Sequence, residues 1–208
     1  MLKPYHIEIT RLALGEHFSS NALEKITYAN LYQDRLLGQI GHDEYHFDGS
    51  AFEKSYQYVE KQRALTISSL VANDASSAWS AFGRLTHAVQ DFYSHSNYVE
   101  LWLASRSNGT VPAPSEIDPV DPDLLRLPTL HSGTIYLPLE ALYHFHWLRP
   151  LLLRILPRDS HAWMNLDSQK QGPNFAYAFH AAVKRTKIEF EKTTLGFSEE
   201  MRRLFLDR

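Results

Sequence analysis

Cysteine is absent from the 208 residues. The chain can form no disulfide and offers no thiolate, so any metal it holds must be bound by imidazole and carboxylate. Long apolar runs are also missing. No uncharged stretch approaches the roughly 18 to 20 apolar residues that a membrane span requires, and no span is expected. The opening "MLKPYHIEITRLALGEHF" scatters Lys3, His6, Glu8 and Arg11 where a signal peptide needs an unbroken apolar core. Basic runs go no further than the pairs "KR" and "RR". With 21 basic and 24 acidic residues and a net charge of −3, the surface makes no electrostatic provision for a polyanion, so long nucleic acids are not expected as partners. Together these absences predict a soluble, cytoplasmic protein.

What is present is 44% hydrophobic content, enough for one well-buried core, and residues 1–208 read as a single domain. Apolar spacing near 3.6 recurs through most of the chain and strand-type Val/Ile alternation hardly occurs, which predicts an all-α fold. Helices are expected at about 4–18, 20–37, 50–72, 74–105, 139–155, 174–194 and 197–206. Cap-type residues in "SSNAL" and "NDASSAW" precede two of them. The stretch 107–138 differs, because it holds six of the ten prolines and the turn signals "SNGT" and "HSGT". Its apolar content, as in "LHSGTIYLP", predicts an ordered loop that covers the core rather than a linker.

The segment "RLTHAVQDFYSHSNYVE" places His87, Asp91 and His95 at i, i+4 and i+8 of one expected helix. Such positions share a helix face, and here the same helix carries Leu85, Val89, Phe92 and Val99. A single helix histidine on an apolar face usually bonds to a carbonyl and nothing more. Three buried polar groups in a row would each need a partner. At about 1.5 Å rise per residue the Cα atoms of His87 and His95 lie roughly 12 Å apart, too far to share one ion. The economical solution is two or more ions, with Asp91 bridging between them.

Further ligand-type residues cluster elsewhere. "YHIEIT" offers His6; "NLYQDRLLGQIGHDEYHFDGS" offers Asp34, His42, Asp43, His46 and Asp48; "SHAWMNLDSQ" offers His161, Asn165 and Asp167. His144 and His146 lie in an aromatic run where packing explains them. His17, His131 and His180 default to structural or surface roles.

"HAVQDFYSHSNYVEL" resembles the signature of the Het-C-like proteins, a branch of the zinc-dependent phospholipase C/P1 nuclease superfamily. "YHIEITRLAL", "ANLYQDRLLGQIGHDEYHFD", "LHSGT" and "HAWMNLDS" resemble further elements of that family, in family order from residue 6 to about 186. The resemblance implies a helical fold of the phospholipase C/P1 nuclease type around two or three zinc ions that hydrolyse a phosphoester. Carried over by position, it implies that Asp34, His46, His87 and Asp91 hold a first ion and that Asp91 bridges to a second held by His6. A third ion would take His95 and His161. Its carboxylate would be Asp167, since Asn165 stands where the superfamily's enzymes use an acidic residue. The secreted enzymes also ligate zinc through a processed N-terminal Trp, whereas this chain opens Met-Leu-Lys-Pro, which would leave a dinuclear site.

On this reading Asp34 positions or deprotonates a metal-bound water whose pKa is lowered toward about 7, and Asp91 bridges the ions that polarise the phosphoryl group. Asp43, Asp48 or Asn165 would orient the imidazoles from outside. The loop 107–138, with Tyr136, would shape the entrance for a small-molecule or lipid phosphoester. Two rival expectations stand beside it: a metal-dependent enzyme of other chemistry on a small metabolite, and a non-enzymatic helical interaction protein that keeps zinc for stability.

Overall fold

In a computed structural model of the chain, residues 1–35, 41–106, 109–136, 138–142, 145 and 147–208 are described. Pro4 opens α1 (Lys3–Leu14), where its missing N–H costs nothing. Ser19 caps α2 (Ser20–Tyr32) by accepting from Ala22 N at 3.1 Å. A short α3 (Asp43–His46) follows, then α4 (Phe52–Val71). Asp74 caps α5 (Ala75–His95), accepting from Ser77 N at 3.0 Å. Next come α6 (Tyr98–Ser105), α7 (Leu139–Leu142), α8 (Arg149–Ile155), α9 (His161–Met164) and α10 (Asn174–Thr194). Ser198 caps the last helix, α11 (Glu199–Leu206). Among the described residues there is no strand, only the isolated bridges Ser96–Ser132 and Thr134–Ser160. The fold is all-helical.

The hub is α5, which packs against α2, α3, α4 and α10. Every residue from Leu85 to His95 is buried, so the polar groups of that stretch face the interior as well as the apolar ones. Gly83 permits the closest crossing, since a Cβ there would lie 2.3 Å from Ile26 O. Phe205 meets Phe18 and Phe82 edge-to-face in the core. Between α4 and α10, the buried Glu189 is gripped by Arg63 and by Arg185 Nε at 2.6 Å.

The expected helix over 74–105 is broken in two. Ser96 is extended (φ −108°, ψ 165°), and the Asn97 side chain clamps the 129–131 turn through His131 N at 3.0 Å and Thr129 O at 2.9 Å. Those bonds outcompete helix continuation at "SHSN". The expected 4–18 and 139–155 helices also shorten, the latter to α7 and α8; residues 36–37 of the expected second helix lie outside the described residues.

The proline-rich segment does cover the core. Ile117 and Leu124 are buried in it, and the hydroxyls of Tyr93, Tyr98 and Tyr177 donate to the carbonyls of Pro119, Asp118 and Pro112. Two 3-10 turns, Pro114–Glu116 and Leu124–Arg126, shape it.

Candidate metal centre

The last three turns of α5 present His87, Asp91 and His95 to one interior space. Four other parts of the chain reach it. His6 comes from the first turns of α1, Asp34 from the turn after α2, and His46 from α3. His161 and Asp167 come from α9 and the residues after it. All eight residues that the sequence pointed to therefore converge on one region.

Asp91 stands at the middle with its two oxygens turned to different partners. Oδ2 lies 2.9 Å from His46 Nδ1 and 3.0 Å from His87 Nε2. Oδ1 lies 3.2 Å from His6 Nε2 and 4.0 Å from His95 Nε2. His87 Nε2 is also 3.0 Å from His46 Nδ1 and 3.7 Å from Asp34 Oδ1. Four ligands held about 2.1 Å from a tetrahedral ion sit about 3.4 Å apart, and His87 Nε2 lies near that distance from Asp34, His46 and Asp91.

His6 carries the sharpest geometric signal. Gln90 Nε2 donates to the hydroxyls of Thr10 and Thr186, which turns Gln90 Oε1 toward His6 Nδ1 at 2.7 Å. His6 Nδ1 is thus the donor, and in the neutral ring Nε2 carries the lone pair. That Nε2 is fully buried and makes no hydrogen bond, although Asp91 Oδ1 lies 3.2 Å away. Asp91 Oδ1 accepts from the Met1 amino group at 2.6 Å, whereas the lone pair of His6 Nε2 is left without a donor, as suits a metal ligand.

Beyond Asp91 a second set forms around His95 and His161, whose rings meet edge-to-face. Asp48 Oδ1 lies 3.1 Å from His95 Nδ1 and 3.3 Å from His161 Nδ1. On the opposite ring edges, Asp167 lies 3.3 Å from His95 Nε2 and 4.0 Å from His161 Nε2. The sequence placed Asp48 outside the ligand shell. The reason it lies inside is backbone conformation: Phe47, Gly49 and Ser50 all have positive φ, and this tight turn throws Asp48 inward. Reciprocal Ser50–Ser132 bonds and Gly49 N to Gly133 O at 2.8 Å tie the turn to the "HSGT" loop. Gly133 itself passes so close that a Cβ would meet His161 Cα at 2.7 Å. Only the glycine in "HFDGS" could have signalled this turn.

Asn165 is not part of the cluster. Its amide donates to the carbonyls of His161 and Ala162 and accepts from Gln171, closing the end of α9. His42 stacks on Tyr45, away from the cluster. His17 stacks on Phe190 and His131 bonds within its turn, as expected; His144 and His146 lie outside the described residues.

The cluster balances its charge internally. The Met1 amino group lies 2.6 Å from Asp91 Oδ1, 3.0 Å from Asp167 Oδ1 and 3.3 Å from His95 Nε2. Burial would lower its pKa, but the carboxylates of Asp167, Asp91 and Asp34 push it up to about 11. A cation is therefore well accommodated at this point. Burial, with His6 beside it, outweighs the pull of Asp91 and pushes His87 down to about 4, which leaves a neutral, ligand-competent imidazole. Burial alone would raise the Asp48 and Asp167 carboxyls. The cationic groups around them instead hold both well below the usual range.

Comparison with known proteins then settles the lineage. The family model for the VWA7 N-terminal domain matches residues 6–120, more than half the chain. The chain belongs to the VWA7 N-terminal domain family. Relatives include von Willebrand factor A domain-containing protein 7 of Rattus norvegicus, 35% identical over 91 residues, covering 42% of this chain and 10% of the relative. The human protein of that name is 35% identical over 80 residues, covering 38% and 9%; the mouse protein is 34% identical over 91 residues, covering 42% and 10%. The match thus spans about a tenth of the length of these relatives. No solved structure matches the chain.

Membership of the VWA7 N-terminal domain family corrects the resemblance to the Het-C-like branch of the phospholipase C/P1 nuclease superfamily. The zinc-dependent phosphoester hydrolase, the catalytic roles of Asp34 and Asp91, and the phosphoester substrate rested on that resemblance and fall with it. The physical reason is general: imidazoles and carboxylates at helical spacing specify which atoms can be bound, not which bond is broken. As for membranes, no described helix is long and apolar enough to cross one.

Proposed function

We propose that this VWA7 N-terminal domain is a non-catalytic helical module, one domain over residues 1–208, that binds zinc and uses the ions as internal cross-links. A first ion is assigned to Asp34, His46, His87 and Asp91, and a second to His6 with the other Asp91 oxygen. A third is assigned to His95 and His161 with Asp48 or Asp167. The observation that carries the reading is the buried His6 Nε2, which makes no hydrogen bond and lies 3.2 Å from Asp91 Oδ1. Support also comes from two groups with donor atoms within 4.8 Å of one another: His6/Asp34/His87/Asp91, which spans the first and second assigned ions, and Asp48/His95/His161 at the third. In a chain without cysteine, borderline-soft imidazole with carboxylate favours zinc over calcium or magnesium, which prefer all-oxygen shells.

Cross-linking is the function this geometry serves best. The donors come from segments far apart in sequence, and an ion binding only the folded arrangement stabilises it by mass action. The test is metal analysis of the purified chain after dialysis against zinc and then buffer. Two or three zinc per chain, falling by at least one in His87→Ala, is the expected result. Less than one zinc per chain, with thermal stability unchanged by chelator, overturns the proposal.

A further inference from the structure

Residues 141–158 contain three arginines and no aspartate or glutamate, although the whole chain carries a net charge of −3. This stretch includes α8, which is apolar on two adjacent sides. Leu152 and Leu156 point inward, with Leu148 on the same stripe, and build a small hydrophobic cluster with Ala162, separate from the main core. One position back along the helix, Trp147, Leu151 and Ile155 repeat at four-residue spacing and point outward. Trp147 is 77% exposed, and Leu151 and Ile155 are each more than half exposed, as is Phe145. Trp163 extends the patch: its Nε1 donates to Leu153 O at 3.2 Å, and the Arg158 guanidinium sits 3.8 Å over its ring. Arg154 and Arg158 are both exposed.

We propose that the edge formed by Phe145, Trp147, Leu151, Ile155 and Trp163 is a docking surface for an anionic lipid bilayer. The element lies in the plane of the membrane: Phe145, Trp147, Leu151 and Ile155 enter the headgroup and acyl boundary, and Arg154 and Arg158 meet lipid phosphates. Large exposed apolar side chains clustered in one place mark an interaction site rather than ordinary surface. What covers them is indicated by the rim. A tryptophan at the apolar edge followed by three arginines before the first acidic residue, Asp159, which accepts from Tyr136, matches the gradient from hydrocarbon to anionic headgroup, where indole is favoured and Arg is attracted. With only seven residues α8 cannot span a bilayer, so it lies on the surface.

The full chain is mixed with vesicles of phosphatidylcholine alone and with vesicles containing phosphatidylserine, and bound protein is measured by co-sedimentation. Binding is expected on the anionic vesicles, at least tenfold tighter than on neutral ones. Arg154→Gln with Arg158→Gln is expected to weaken it about 25-fold, since each arginine near such a surface is worth about fivefold. Leu151→Ser with Ile155→Ser is expected to abolish it while circular dichroism stays unchanged, because both side chains are already exposed. Of the four tryptophans, Trp79 and Trp102 are buried, so quenching by brominated lipid reports on Trp147 and Trp163. Loss of most of that quenching in Trp147→Phe supports the pose. Equal binding to neutral and anionic vesicles, no binding to either, or a stable dimer in light scattering that Leu151→Ser with Ile155→Ser dissociates overturns it.

Discussion

Replacing Asp91 by Asn preserves shape and volume and removes one negative charge from the centre of the cluster. In the metal-free protein that charge faces the Met1 amino group at 2.6 Å and the rings of His6, His46 and His87 at 2.9 to 3.2 Å. The Asp91 side chain is fully buried, so water does not replace what is lost. Breaking a buried charge pair by removing one partner costs about 3–5 kcal/mol. In a protein of this length each kcal/mol lowers Tm by about 2–4 °C, so the variant should melt about 6–20 °C below the wild type in chelator. Zinc at a thousand times its Kd should then stabilise the wild type by about 4 kcal/mol, or about 8–16 °C. Asp91→Asn has lost the oxygen pair that links the first ion to the second, and it should recover less than half of that rise. Thermal unfolding of both proteins, with chelator and with excess zinc, measures all four values. If wild-type curves in zinc and chelator superimpose, or if the variant rises as far as the wild type, the bridging argument is wrong.

Three further predictions test the frame around the site. Gly83→Ala would put a Cβ 2.3 Å from Ile26 O and 2.8 Å from Ala29 Cβ, so α2 must move off α5. Urea denaturation should show a loss of about 1–3 kcal/mol despite the better helix propensity of Ala. Tyr93→Phe leaves the Pro119 carbonyl without its 2.6 Å donor in a buried setting and should cost about 1–3 kcal/mol in the same assay. Burial would raise the Glu189 carboxyl, but Arg185 and Arg63 hold it below its ordinary value of 4.5. Its contribution is therefore complete above pH 4.5 and is lost as pH falls through the lowered folded value. The stability gap between wild type and Glu189→Gln should narrow below pH 4.5, and a gap that stays constant down to pH 3 would contradict this account.

The helical character was legible because it is local. Ser19 and Asp74 announce two helix starts within a few residues of where they occur, and the 3.6 period of apolar residues marks the buried sides. The break at Ser96–Asn97 was not legible, because the competing partners of Asn97 sit more than 30 residues away at Thr129 and His131. The cluster was read in part by spacing: His87, Asp91 and His95 share a helix face in any α-helical chain. Its remaining members were carried over through a resemblance whose family assignment the comparisons overturn, although His6, Asp34, His46, His161 and Asp167 do converge. Convergence of side chains thus says nothing of the chemistry attached to them.

By itself the sequence determined that the protein is helical, that it has no thiol ligands, and that one helix carries three ligand-type side chains on a single face. These follow from composition and from the fixed rise and turn of the α-helix, which act over one to four residues. Tertiary structure alone decided that Asp48 joins the cluster while Asn165 leaves it. It also decided that Asp91 divides its two oxygens between separate partners and that Trp147, Leu151 and Ile155 face outward. Those outcomes depend on left-handed turns, on the close passage of Gly133 past His161, and on which stripe of α8 the small cluster of Leu152 and Leu156 claims first. Each is a competition between distant segments for the same space, and no local pattern encodes its winner.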